Sequence, residues 1–96
     1  MGAISTRLDL ITNAAVTGGS HVWPGGKGVF FAQGTWSSAT VSLEMQTPQG
    51  TWINVGTATD LTANGVASFE LPQGRIRAAV TGTPSGIYAH AILTRK

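Results

Sequence analysis

A chain of 96 residues is the length of one domain with one core. It has no Cys, two His and only four acidic residues (Asp9, Asp60, Glu44 and Glu70), which excludes disulfides and thiolate metal sites and leaves little for carboxylate chemistry. Charged residues are 10% of the chain, with a net charge of +2, against about 25% charged in ordinary globular proteins; a surface of Thr, Ser, Gly and Gln, partly covered by partners, is the expectation.

Period-2 alternation bounded by Gly, Pro and Asn recurs along the chain, and helix-period patterns are missing. Thr6–Thr12 sets Leu8 and Leu10 against Arg7 and Asp9, which predicts a strand. Asn13–Trp23 is small and polar and ends at the turn Pro24-Gly25-Gly26. Lys27–Gln33 holds the apolar run Val29, Phe30, Phe31 expected of a buried strand, and Gly34–Ser38 turns the chain. Ala39–Thr47 alternates Val41, Leu43 and Met45 with Thr40, Ser42, Glu44 and Gln46. Pro48-Gln49-Gly50 reads as a hairpin turn, returning through Thr51–Thr57.

Asp60–Asn64 reads as a loop, and Asn64-Gly65 is the best hairpin dipeptide in the sequence. Val66–Leu71 follows, then the turn Pro72-Gln73-Gly74. Arg75–Val80 alternates Ile76, Ala78 and Val80 with Arg75, Arg77 and Ala79. Beyond a loop around Pro84, Ile87–Thr94 puts Ile87, Ala89, Ala91 and Leu93 on one face. The sum is an all-β domain over residues 1–96, an antiparallel β-sandwich of about seven or eight strands. The jelly roll is one arrangement open to it, and residues 1–22 can serve as an N-terminal arm or an edge strand.

Motifs for chemistry are weak. Trp23-Pro24-Gly25-Gly26-Lys27-Gly28 lacks the first glycine of a phosphate-binding loop, where His21 stands, and its Ser/Thr, where Gly28 stands. No Gly-x-Ser-x-Gly elbow is present, and Asp60-Leu61-Thr62-Ala63-Asn64 brings one carboxylate where calcium needs six to eight oxygens. Neither an enzyme nor a cofactor or metal is expected. The six bases form no dense run, so no nucleic-acid partner is expected. No segment approaches the roughly 18 apolar residues of a membrane span, and neither a membrane partner nor a signal peptide is expected. Met1–Thr6 fits the short and common pattern for N-myristoylation. Trp23 and Trp36, placed at loop ends, suit a protein interface, a sugar-stacking platform, or plain capping of the core.

Trp23-Pro24-Gly25-Gly26-Lys27-Gly28-Val29-Phe30, Ala39-Thr40-Val41-Ser42-Leu43 and Phe69-Glu70-Leu71-Pro72-Gln73-Gly74-Arg75-Ile76-Arg77-Ala78 resemble stretches of the capsid decoration, or cement, proteins of tailed bacteriophages. The resemblance covers roughly residues 23–95 and rests on turn-and-strand punctuation. It implies a homo-oligomeric subunit, often a homotrimer, on the outer surface of the phage head. There it would bind the major capsid protein and stabilise the shell. Residue type and predicted exposure nominate Leu8, Trp23, Phe30, Trp36, Arg75, Arg77 and His90 as interface residues. The rival readings are a tail, tail-fibre or adaptor component and a carbohydrate-binding sandwich stacking sugars on Trp23 and Trp36.

Overall fold

The computed structural model describes residues 6–95. Met1–Ser5, which hold nearly all of the acylation pattern, and Lys96 lie outside the described residues. Nine strands follow one another: β1 (Thr6–Ala14), β2 (His21–Trp23), β3 (Gly26–Thr35), β4 (Thr40–Gln46), β5 (Trp52–Asn54), β6 (Asp60–Leu61), β7 (Gly65–Leu71), β8 (Gly74–Thr81) and β9 (Ser85–Arg95). A short 3-10 turn, Thr57–Thr59, separates β5 from β6.

The strands form two antiparallel sheets, one of four strands in the order β1-β9-β3-β7 and one of five in the order β2-β8-β4-β5, with β6 also on β4. The pairings nest: β1 with β9, β2 with β8, β3 with β7, and β4 with β5. The chain is thus one long hairpin, folded at β4–β5 and rolled over so that β9 also pairs β3 and β8 also pairs β4. This is the jelly-roll arrangement of a β-sandwich.

The topology corrects several turns. Among the described residues, only the Pro48-Gln49-Gly50 segment closes a hairpin between paired strands, with Gly50 at φ 90° and the Gly50 amide donating to the Thr47 carbonyl at 2.8 Å. Pro72-Gln73 instead carries the chain from β7 in one sheet to β8 in the other. Asn64-Gly65 likewise leaves β6 in the five-stranded sheet and enters β7 in the four-stranded one. Pro24-Gly25 joins β2 to β3 across the sandwich, with Gly25 at φ 92° beside the Gln73 backbone, so the glycine-rich segment is a corner packed on another corner. Turn chemistry reports that a chain reverses; it does not report which sheet the chain enters next.

The core lies between the sheets. The four-stranded sheet supplies Leu10, Ile11, Phe30, Ala32, Phe69, Ile87, Ala89, Ala91 and Leu93, and the five-stranded sheet supplies Trp23, Val41, Leu43, Ile76 and Ala78. Leu10 and Ile11 are both buried because the pairing register shifts between Asp9 and Ile11, a β-bulge that turns two consecutive side chains inward. The Trp23 and Phe69 rings meet at 5.0 Å between centroids with a tilt of 50°, a favourable aromatic geometry.

Candidate interaction surface

Strand parity sends alternate residues of each sheet outward. On the five-stranded sheet the outward residues are mostly polar, with Val22, Trp52 and Ala79 among them, and several engage one another. Arg77 Nε donates to Glu44 Oε1 at 2.8 Å, and the Arg77 guanidinium lies 4.5 Å from the centre of the Trp52 ring. Arg75 Nη1 donates to Ser20 Oγ at 3.2 Å, and Asn54 Nδ2 to Asp60 Oδ1 at 2.8 Å.

The four-stranded sheet presents a different outer face. Register places Arg7, Ile92, Val29 and Ser68 in one row across its four strands, and Asp9, His90, Phe31 and Val66 in the next. Tyr88 and Gln33 stand beyond the second row, and Lys27 and Glu70 beyond the first. Val29, Phe31, Tyr88 and Ile92 are half-buried by their neighbours, and Val66 is 56% exposed. The centre of the face is therefore apolar, and charge sits at its margins. Arg7 Nε lies 3.0 Å from Asp9 Oδ1 in an ion pair, Arg7 Nη2 donates to Asp9 Oδ2 at 3.5 Å, and Asp9 Oδ1 accepts from His90 Nδ1 at 2.9 Å. A shallow depression of about 340 Å³ opens beside Phe31, Val66, Tyr88 and His90. A sheet face washed by water normally reads as polar at every second residue; the middle of β3, Val29–Ala32, is apolar in both parities, between outward Lys27 and Gln33.

The sequence-nominated residues scatter over this architecture. Trp23 and Phe30 are corrections: each is 0% exposed, so neither offers surface to a partner. Trp23 turns inward because Val22–Trp23 pairs with Gly74–Arg75 as a short strand in place of the expected loop. Phe30 shares the inward parity of Gly28 and Ala32. Leu8 and Trp36 are partly buried and pack against the core. The Trp36 indole N–H donates to Asn64 Oδ1 at 2.8 Å, and the same oxygen accepts from the Gly34 amide at 3.0 Å. With Trp23 enclosed, the two-tryptophan sugar platform does not form. Arg75 and Arg77 lie together on the five-stranded sheet, and His90 alone of the nominated set lies on the apolar face. Sequence reasoning missed Val29, Phe31, Val66, Tyr88 and Ile92 as a surface. The signal was present in the second parity of β3, where Val29 and Phe31 alternate with the core residue Phe30.

Among the described residues no group of three or more His, Asp or Glu side chains could hold a metal ion. The fold and its outer faces thus define a jelly-roll β-sandwich whose distinctive feature is a sheet face. No protein-family model matches the sequence, and no curated protein matches it either. Among solved structures, the chain is similar to the SPBc2 prophage-derived protein YomS, with a TM-score of 0.77 at 11% identity over 96% of this chain and 94% of that one. At this identity the likeness is one of fold. Weaker matches include the Yersinia pseudotuberculosis-derived mitogen, with a TM-score of 0.48, 11% identity, and 95% of this chain and 82% of that one covered. Another is the infectious bursal disease virus VP2 subviral particle, with a TM-score of 0.36, 12% identity, and 97% and 31% covered.

Proposed function

We propose that the protein is a structural subunit of a bacteriophage virion that binds, as a homo-oligomer, the outer surface of the major capsid protein shell and stabilises it. The observation that carries this reading is the end-to-end likeness of fold to a prophage-derived protein. The apolar outer sheet face supports it as well, because a subunit that works by docking needs a surface whose covering releases water. Contacts of modest strength suffice on a shell, since repetition over linked copies raises effective concentration without any new contact. A sparsely charged surface also docks without stranding unpaired charges, whose desolvation is expensive.

The test is cryo-electron microscopy and protein mass spectrometry of purified particles, with and without the gene. Density for the jelly roll on the head, and loss of head integrity at lower temperature in the deletion particle, are expected. Particles that lack the protein altogether refute the reading. Density on the tail refutes the head placement and installs the tail or adaptor reading instead.

A further inference from the structure

We infer that the outer face of the four-stranded sheet is the copy-to-copy contact, and that two chains pair through it about a two-fold axis. The inference rests on the homo-oligomer part of the reading above and not on capsid binding.

The face is complementary to itself. Its rows Arg7–Ile92–Val29–Ser68 and Asp9–His90–Phe31–Val66 are adjacent. Consider a two-fold axis in the plane of the face, perpendicular to the strands and running between those rows. It lays each row on the other row of the second copy. Val29 then meets Phe31, Ile92 meets His90, and Arg7 meets Asp9, with each contact made twice, as an isologous interface requires. Arg7 and Asp9 already pair within one chain at 3.0 Å. The two-fold joins two such pairs into a ring of four alternating charges at one margin of an apolar centre. Such a ring sets register and excludes wrong alignments more than it adds affinity.

Charge balance agrees. In the two central rows Arg7 is matched by Asp9, so the rows that meet carry no net formal charge, while Lys27, Arg95 and Glu70 stand together at the margin. Size agrees too. From Lys27 to Gln33 and across the sheet, ordinary strand spacings give a footprint of about 450 Å² per copy, about 900 Å² in the pair. Stable interfaces start near about 1,000 Å², so the pairing is concentration-dependent, with a Kd in the micromolar range or weaker. On the other outer face Glu44, Arg77 and Trp52 engage one another.

The experiment is sedimentation velocity on the full chain from about 1 μM to about 1 mM, bracketing the affinity that this footprint allows. The wild type is expected to shift from the mass of one copy to that of two. Phe31→Glu places a carboxylate in the apolar centre and should raise Kd more than about tenfold, while at about 1 μM, where pairing adds little, both chains should show a cooperative melt. The decisive variants are Arg7→Asp and Asp9→Arg. Each alone opposes like charges across the two-fold and should weaken pairing. Their equimolar mixture sets two carboxylates of one chain against two guanidinium groups of the other and should recover it. A single-copy mass at every concentration, a three-copy mass, or a mixture no tighter than its components overturns the inference. None of these outcomes bears on whether the protein is found on the phage head.

Discussion

Gly28 offers the most direct trial of the packing. It lies in β3 with inward parity, just beyond the turn Pro24-Gly25-Gly26. A Cβ built on it stands 2.6 Å from Trp23 Cη2, 2.8 Å from the Ile92 carbonyl oxygen and 3.0 Å from Phe69 Cζ. Ordinary van der Waals contact needs at least about 3.5 Å between carbons. The indole is fixed in the core, and the carbonyl belongs to the central strand β9, so no single neighbour can move aside. Overpacking of this kind costs typically 1–3 kcal/mol, and with backbone among the obstacles about 2–3 kcal/mol is expected for Gly28→Ala. For a domain of this size that lowers Tm by roughly 10–20 °C. Urea denaturation followed by tryptophan fluorescence, with thermal melts by circular dichroism, measures both quantities. Gly19→Ala is the control, because no heavy atom lies within 4 Å of its added carbon; it should stay within about 0.5 kcal/mol of wild type. Shrinking the indole by Trp23→Leu in the Gly28→Ala background should not restore stability, since the Ile92 carbonyl remains. If Gly28→Ala melts with the wild type, the close approach of β2, β7 and β9 around β3 is wrong.

Two further variants probe polar contacts that hold the sandwich's loops and faces. Asn64→Ala removes one oxygen that accepts from both the Trp36 indole and the Gly34 amide. A loss of about 1–2 kcal/mol in urea denaturation is expected, and a smaller loss from the hydrogen bond for Trp36→Phe, which removes one donor and leaves Asn64 Oδ1 bonded to the Gly34 amide. The Glu44–Arg77 pair is half-buried, with side chains 20% and 29% exposed. A double-mutant cycle with Glu44→Gln and Arg77→Met should return a coupling of about 1 kcal/mol, above the median of exposed pairs; zero coupling would mean that the Arg77 stack on Trp52 acts alone.

Some elements are legible in the residues and others are not, for reasons that differ. β4 announces itself because Val41, Leu43 and Met45 alternate with polar residues over its whole length, and one face of it is solvated. The inward parity of β9 is legible for the same reason. β2 escapes because His21–Trp23 is short and flanked by Ser, Gly and Pro, so only its pairing with β8 makes it a strand. Those flanks point to a loop end for Trp23, and the pairing buries it instead. Asn64-Gly65 and Pro72-Gln73-Gly74 carry true turn signals, yet in each case the chain crosses between sheets. A corner and a hairpin share the same residues; long-range pairing alone separates them. Asn64 illustrates the cost of that ambiguity, because its side chain secures Trp36 across 28 positions of sequence, a contact no local pattern encodes.

The two outer faces serve as controls for each other. Both belong to one chain of low charge, and both flank the same core, so composition alone predicts similar surfaces. On β4 the outward residues Thr40, Ser42, Glu44 and Gln46 are uniformly polar, as water requires of an antiparallel sheet with one buried side. On β3 the corresponding positions include Val29 and Phe31, which register sets against Ile92 and His90 of β9 and against Ser68 and Val66 of β7. Scattered apolar residues on a surface need no explanation, but a set aligned across adjacent strands does. Folding does not ask for it, because the core is complete beneath it. A requirement remains that acts on the outside of one sheet and not the other, and contact with a second surface is such a requirement.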